Sequence, residues 1–205
     1  MKNNYSIIRK IEYREFEMLN LSGKILDIGG SKKSGYHELM KQAEITTVNI
    51  DPSYGCDLIF DIQQRFPLED NSFDHCVALN VLEHIFKFEN VFKEVNRVLK
   101  QGGTFVFATP FFNQIHGSPD DYYRYTKSAL ENLLKENNFS QIEIKEMGYG
   151  IFSLFFQIIG GAFPKFLRMG LMRWSAFSDK CCDFVFRGRY EKLKKKNTPG
   201  VFCGS

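Results

Sequence analysis

The sequence predicts an α/β fold, a three-layer sandwich built on a mostly parallel sheet. Three observations carry this. Between residues 24 and 145 short apolar runs alternate with stretches of helical periodicity, the rhythm of β–α units that bury a parallel sheet between helices. The first five runs each end in Gly, Asp, Asn or Thr-Pro, residues that stop strands. The composition, 43% hydrophobic and 25% charged over 205 residues, is that of a globular chain able to bury about 70% of its unfolded surface.

The elements follow in order. Residues 5–20 form a flanking helix, within an N-terminal segment 1–22. Residues 24–28 (KILDI) are a buried strand closed by Gly29-Gly30, and 36–43 carry Leu39, Met40 and Ala43 at helical spacing. Residues 45–50 (ITTVNI) are a second strand closed by Asp51-Pro52, residues 56–60 a short third ending at Asp61, and 75–79 (HCVAL) a fourth ended by Asn80. Residues 90–100 form the most regular helix: Val91, Val95, Val98 and Leu99 share a face and Gly102-Gly103 ends it. Residues 104–109 (TFVFAT) are a fifth strand, stopped by Pro110. Ser128 and Glu131 have the spacing of a capping box opening a helix to Asn137, and 142–145 read as a sixth strand. The core thus spans 23–148.

From 149 the rhythm changes. Ile151, Leu154, Phe155, Ile158, Ile159 and Ala162 fall on one helical face, and Phe152 and Phe156 make the segment apolar nearly all round. Such a helix is buried or lies against lipid. A basic amphipathic segment with Lys165, Arg168, Arg173 and Trp174 follows, then the run RGRYEKLKKK over 187–196. Two readings of 149–205 stand: a lid over the acceptor site, or a peripheral membrane-facing segment. Residues 198–203 (TPGVFC) resemble a last strand.

Composition excludes several classes. Net charge, +3 from 27 Lys+Arg and 24 Asp+Glu, is too small to argue for nucleic acid. Five cysteines contain no C-x-x-C pair, and no His lies at a zinc-finger distance, so no metal site is expected. The first 16 residues have no apolar signal core and no stretch has the ~18–20 apolar residues of a spanning helix. A cytoplasmic location with reduced thiols is expected. The 21 Phe partly reflect base composition, so single Phe residues carry little functional weight.

Function concentrates at the strand ends, because ligands of open α/β sheets bind beyond the carboxyl edges. Asp27 with Gly29 and Gly30, Asp51, Asp61 and Asn80 all fall there. Asp51 lies 24 positions beyond Asp27, where an acid accepts both ribose hydroxyls of an adenosine. The loop GGSKKSG is neither G-x-G-x-x-G nor G-x-x-x-x-G-K-[ST], which disfavours a dinucleotide or nucleoside triphosphate. S-adenosylmethionine, without phosphate, needs fewer glycines at this turn. Lys32 and Lys33 are placed to meet its carboxylate or simply to be solvated.

The segments ILDIGG, VNID, FDIQQRFPLEDNSFDHCVALNVLEHI and EVNRVLKQGGTFVFATP resemble successive motifs of class I S-adenosylmethionine-dependent methyltransferases of the small-molecule type. PFFNQIHGSPDDYYRYT is similar to a version from a bacterial branch associated with surface-polysaccharide and glycan biosynthesis. The resemblance spans about 24–148 and implies a Rossmann-like fold, S-adenosyl-L-methionine as cofactor, and methyl transfer to a small molecule or saccharide precursor at oxygen. It places Asp27 near the methionine amino group, Gly29 and Gly30 where backbone passes the cofactor, Asp51 on the ribose, Asp61 and the Ile62 amide on the adenine, and Asn80 beneath the methionine end. Ser31 stands where the family usually has a second loop glycine.

A hydroxyl acceptor benefits from a general base. His116, after the fifth strand, leads, followed by Asp121 and Asp120, with Tyr122, Tyr123 and Arg124 lining the acceptor pocket. His84 caps or packs, and His37 and His75 read as structural. The rival readings are a non-catalytic partner subunit whose glycine loop has drifted, and a membrane-surface protein acting through its C-terminal basic-aromatic segment. A nicotinamide oxidoreductase fits the glycine pattern less well.

Overall fold

A computed structural model describes residues 6–117, 119–147 and 150–185. Gly148, the basic run 187–196 and the strand expected over 198–203 lie outside the described residues, as does the Lys165 side chain. Among the described residues five parallel strands form one sheet: β1 (Gly23–Ile28), β2 (Ala43–Asn49), β3 (Leu58–Ile59), β4 (Phe73–Leu79) and β5 (Leu99–Ala108), in the order β3-β2-β1-β4-β5. The chain winds outward from β1 through β2 to β3, then returns to lay β4 against the other side of β1. Between β1 and β4 the order reverses, the place where open sheets bind ligands.

Alternation along the strands makes the two buried faces. Leu26, Ile28, Cys76, Ala78, Phe105 and Phe107 point to one, under α2 (Phe88–Val98) and α3 (Lys127–Glu136). Ile25, Val77, Val106 and Ala108 point to the other, under α1 (Ile7–Met18), whose Tyr13 and Phe16 pack there. Several phenylalanines thus have a structural use: Phe92, Phe105 and Phe107 meet at ring-centroid distances of 4.8–5.8 Å. Part of the family-like motif is structural too. Glu94 accepts the Phe66 amide at 2.8 Å, while Arg97 binds Glu94 and donates to the carbonyls of Phe66 and Leu68. These bonds stitch the loop before β4 to α2.

Five local expectations are corrected. Residues 36–43 make only a 3-10 turn, Gly35–Leu39, because Ala43 already belongs to β2; Tyr36 and Met40 still reach the core. The helix over 90–100 ends at Val98. Leu99 is extended and pairs with Phe73, and Gly102, at φ +77°, bends the irregular entry into β5 rather than ending a helix. Thr126, not Ser128, caps α3, its hydroxyl accepting the Ala129 amide at 3.2 Å. Residues 142–145 form no strand; Ile142 and Ile144 pack on the core without ladder pairing. The expected third strand shortens to Leu58–Ile59.

Beyond the sheet, α4 (Ile151–Ile159) and α5 (Lys165–Val185) form a hairpin closed by the turn Gly160–Ala162. Its inner side is polar. Asp179, fully buried, accepts the Phe152 and Ser153 amides at 3.0 and 2.9 Å and so caps α4, where Gly150 offers no side chain. Ser153 and Ser175 are buried beside it, while Phe155, Phe166 and Phe177 face solvent. The expectation that so apolar a helix is buried therefore fails on its outer side. No helix among the described residues is long and apolar enough to cross a membrane.

Candidate active site

At the switch point β1 delivers Asp27, fully buried beneath the glycine loop. Its carboxylate accepts the Tyr36 hydroxyl at 2.8 and 2.9 Å, and His37 Nε2 lies 2.7 Å away. Burial raises the Asp27 carboxyl above its usual range, opposed by these two partners. Gly29 and Gly30 are required by space. A Cβ on Gly29 (φ +73°) meets Val81 at 2.5 Å, and one on Gly30 meets Asp27 Oδ2 at 1.8 Å.

The neighbouring strands complete the rim. Asn49, at the end of β2, donates to the Gly29 carbonyl at 3.1 Å and accepts the Asp51 amide, tying Asp51 to the glycine loop. Asp51 is exposed and accepts the Ser53 amide, which lowers its carboxyl pKa. Ser31 is absorbed by its own turn, donating its amide to Ser34 Oγ and accepting the Lys33 amide. Lys32 pairs with Asp57 at 2.7 Å, so its charge is already matched. Asp61, half-buried, accepts the Gln63 amide, and Ile62 beside it is buried.

Across the switch point Asn80 sits in the left-handed region at φ +56°. Its amide donates to the Ala108 carbonyl and its side chain to Glu12 of α1 at 2.7 Å. Glu12 is buried and paired with Arg9, and burial raises its carboxyl pKa. These residues form a crevice with carboxylates for hydroxyls and amines, and a glycine floor that admits backbone-close approach. The acceptor set fits a phosphate-free nucleoside.

After β5 the loop over 111–124 builds a second feature. Asp121, nearly buried, holds Arg124 through both oxygens and accepts the His116 amide at 2.9 Å. The Arg124 guanidinium keeps the Asp121 carboxyl far below the usual carboxylate range. Asp121 thus orients the loop, tying the His116 backbone to Arg124. Tyr122, Tyr123 and Arg124, together with Phe111, Asn113 and Ile158 of α4, line a cleft of about 510 Å³. Gln114 donates to the Ile158 carbonyl at 2.6 Å, joining the loop to α4.

Residues 26–107 match the family described as a methyltransferase domain. The match covers less than half of the chain. The chain is 35% identical over 91 residues to a sterol 4-C-methyltransferase of Caenorhabditis elegans, a match spanning 42% of this chain and 27% of that protein. In fold the chain is similar to an S-adenosylmethionine-dependent methyltransferase from Archaeoglobus fulgidus (TM-score 0.65, 11% identity, 96% and 94% of the two chains). It is also similar to phosphoethanolamine N-methyltransferase 2 of Haemonchus contortus in complex with S-adenosyl-L-methionine (TM-score 0.59, 16% identity, 98% and 54%). The fold is therefore that of S-adenosylmethionine-dependent methyltransferases.

Sequence reasoning missed four residues of this candidate site. Tyr36 and His37 hold Asp27, and Glu12 reaches the crevice from the flanking helix. None sits at a strand end, so no positional signal marked them. The fourth, Glu83, is wholly buried behind the cleft with neither carboxylate oxygen hydrogen-bonded. Burial pushes its carboxyl up to about 7, against smaller pulls from its own amide and from Arg124. Its Oε1 lies 3.6 Å from His84 Nε2 and 4.0 Å from His116 Nε2. The absence of paired cysteines left this grouping unseen.

Proposed function

We propose that this chain transfers the methyl group of S-adenosylmethionine to an oxygen of a small, polyhydroxylated acceptor, a saccharide or glycan precursor, held in the cleft beside His116. One observation carries the reading. The cleft at the carboxyl end of β5 combines flat aromatic faces (Phe111, Tyr122, Tyr123) with hydrogen-bonding groups (Asn113, Gln114, Arg124), the pairing that receives a ring with hydroxyls better than a sterol. The cofactor supplies a sulfonium methyl. The chain contributes alignment, which accounts for much of the rate in such displacements.

In this reading Asp51 accepts the ribose hydroxyls, Asp61 and the Ile62 amide meet the adenine, and Asn80 and Asp27 frame the methionine end. His116 activates the acceptor hydroxyl, its ring steadied through Nδ1 by the Gln114 carbonyl at 3.0 Å and by Asp121 at 3.3 Å. Ile158 closes one side of the cleft, which supports the lid role of α4. The test is calorimetric titration with S-adenosylhomocysteine and NADH, followed by acceptor screening with labelled cofactor. Micromolar binding of the former alone is expected, with His116→Ala lowering turnover by about 10²–10⁴-fold and leaving that binding intact. A folded chain that binds no S-adenosylhomocysteine overturns the reading in favour of a non-catalytic subunit.

A second observation supports a peripheral membrane role for the same hairpin. Phe166, Trp174, Phe177 and Phe184 are 59–80% exposed on α5, with Arg173 among them. Aromatic and basic residues on one helix face suit an anionic lipid surface. Cosedimentation with anionic but not zwitterionic liposomes, lost in Phe177→Ser/Arg173→Glu, is the expected result. Self-association without lipid binding would refute it.

A further inference from the structure

We propose that Glu83, His84 and His116 bind a divalent first-row transition-metal ion beside the acceptor cleft. One ligand atom from each residue lies within 4.8 Å of the other two, and the Glu83 Oε1 to Nε2 distances are 3.6 and 4.0 Å. Ligands held at about 2.0–2.2 Å from one metal stand roughly 3–4 Å apart, so closing on an ion takes only small side-chain shifts.

The hydrogen bonds around the two rings prepare them for it. His84 Nδ1 lies 2.6 Å from the Asp120 carbonyl. His116 Nδ1 lies 3.0 Å from the Gln114 carbonyl and 3.3 Å from Asp121, with the Asn113 amide at 3.4 Å. These carbonyls and the carboxylate only accept, and at His116 they lie nearer than the Asn113 donor, so each Nδ1 carries the hydrogen and each Nε2 presents its lone pair toward Glu83. A carbonyl bonded to the far ring nitrogen is the usual support of a metal-bound histidine. Glu83 is fully buried and neither oxygen has a hydrogen-bond partner. Three acceptors therefore converge, no hydrogen-bond donor among the described residues reaches the Glu83 carboxylate, and a cation satisfies all three at once. Two imidazoles and one carboxylate suit Zn²⁺, Fe²⁺, Co²⁺ or Mn²⁺. The pocket opens on the side of His116, which is 41% exposed, and leaves coordination positions free there.

The catalytic consequence rests on the proposed methyl transfer; the binding itself does not. An acceptor hydroxyl bound to the ion releases its proton to solvent. The resulting alkoxide attacks the sulfonium methyl, an O–C bond forms, and the C–S bond breaks with its electron pair passing to sulfur as S-adenosylhomocysteine leaves. His116 then activates the acceptor as a ligand to the ion.

The test titrates the full chain, stripped with chelator, with Co²⁺ and then Zn²⁺, reading calorimetry and the visible Co²⁺ spectrum. Expected is one equivalent bound with a nitrogen–oxygen spectrum, and displacement by Zn²⁺. His84→Ala, His116→Ala and Glu83→Gln should each weaken binding by more than the about 10–100-fold that losing a supporting hydrogen bond costs. His116, on an open loop, is the variant least exposed to folding failure, and circular dichroism checks each fold. Cys181→Ser/Cys182→Ser, altering the cysteines of α5, should bind as wild type. No stoichiometric binding by a folded chain, or a thiolate-type spectrum that survives His116→Ala, overturns the proposal. Parallel titration with S-adenosylhomocysteine separates the two readings: its loss alone refutes methyl transfer, while loss of Co²⁺ binding alone refutes the metal site.

Discussion

Gly30→Ala is the most incisive test of how the glycine loop packs on Asp27. Gly30 does not lie in the left-handed region, so the substitution carries no backbone strain. The cost is purely spatial: the new methyl would stand 1.8 Å from Asp27 Oδ2 and 2.3 Å from its Cγ. Asp27 is fully buried and held by Tyr36 and His37, so the carboxylate can move only by giving up at least one of these bonds. A hydrogen bond to a charged group is worth about 1.5–3 kcal/mol, and a buried acceptor left short adds to it, giving roughly 3 kcal/mol. For a domain of this size that lowers Tm by about 6–12 °C. The assay is thermal melting in a double-mutant cycle with Asp27→Ala. In the Asp27→Ala background the obstructing carboxylate is absent, and Gly30→Ala should cost less than about 1 kcal/mol. An equal cost in both backgrounds, or a Tm within about 2 °C of wild type, would show that Asp27 does not dictate glycine at this position.

Other outcomes follow from the same structure. Asp51→Ala should weaken S-adenosylhomocysteine binding about tenfold to a few hundredfold by calorimetry while hardly changing Tm, because Asp51 is exposed and its bond to Ser53 is local. Asp57, held down to about 2 by Lys32 and the Thr47 donors, has a folded-state pKa below its unfolded one. Its stabilisation is therefore complete above about pH 4 and vanishes as pH falls through about 2. Asp57→Asn should cost about 1 kcal/mol at pH 7, after discounting for exposure, and almost nothing near pH 2 in urea unfolding. Asp179→Ala removes the cap of α4, and hydrogen exchange of amides over 151–159 should accelerate at least about tenfold with global Tm little changed.

Much of the fold was legible because apolar runs and turn residues are local signals. Leu26, Ile28, Cys76 and Ala78 alternate with Ile25, Val77 and Leu79, and that pattern alone implies strands buried on both faces. Boundaries were less legible where one residue serves two elements. Leu99 continues the helical spacing of Val95 and Val98, yet its backbone turns into β5, since pairing with Phe73 competes with another helical turn. Ser128 and Glu131 have capping-box spacing, but Thr126 has the extended backbone that lets its hydroxyl reach the helix amides.

The sequence by itself determined the α/β class, the strand-end acids of the crevice and the aromatic loop of the cleft, because each depends on spacing along the chain or on turn chemistry. Only the tertiary structure decided which elements meet. It set β4 against β1, so that Asn80 faces Glu12 across 68 positions of chain. It buried Asp27 under Tyr36 and His37, and turned the polar side of α4 inward onto Asp179. It also brought His116 to Glu83 and His84, which lie 33 and 32 positions earlier in the sequence. The physical reason is common to all of these: a buried polar group must find its partners in space, and spacing in the sequence records only partners within a turn or two.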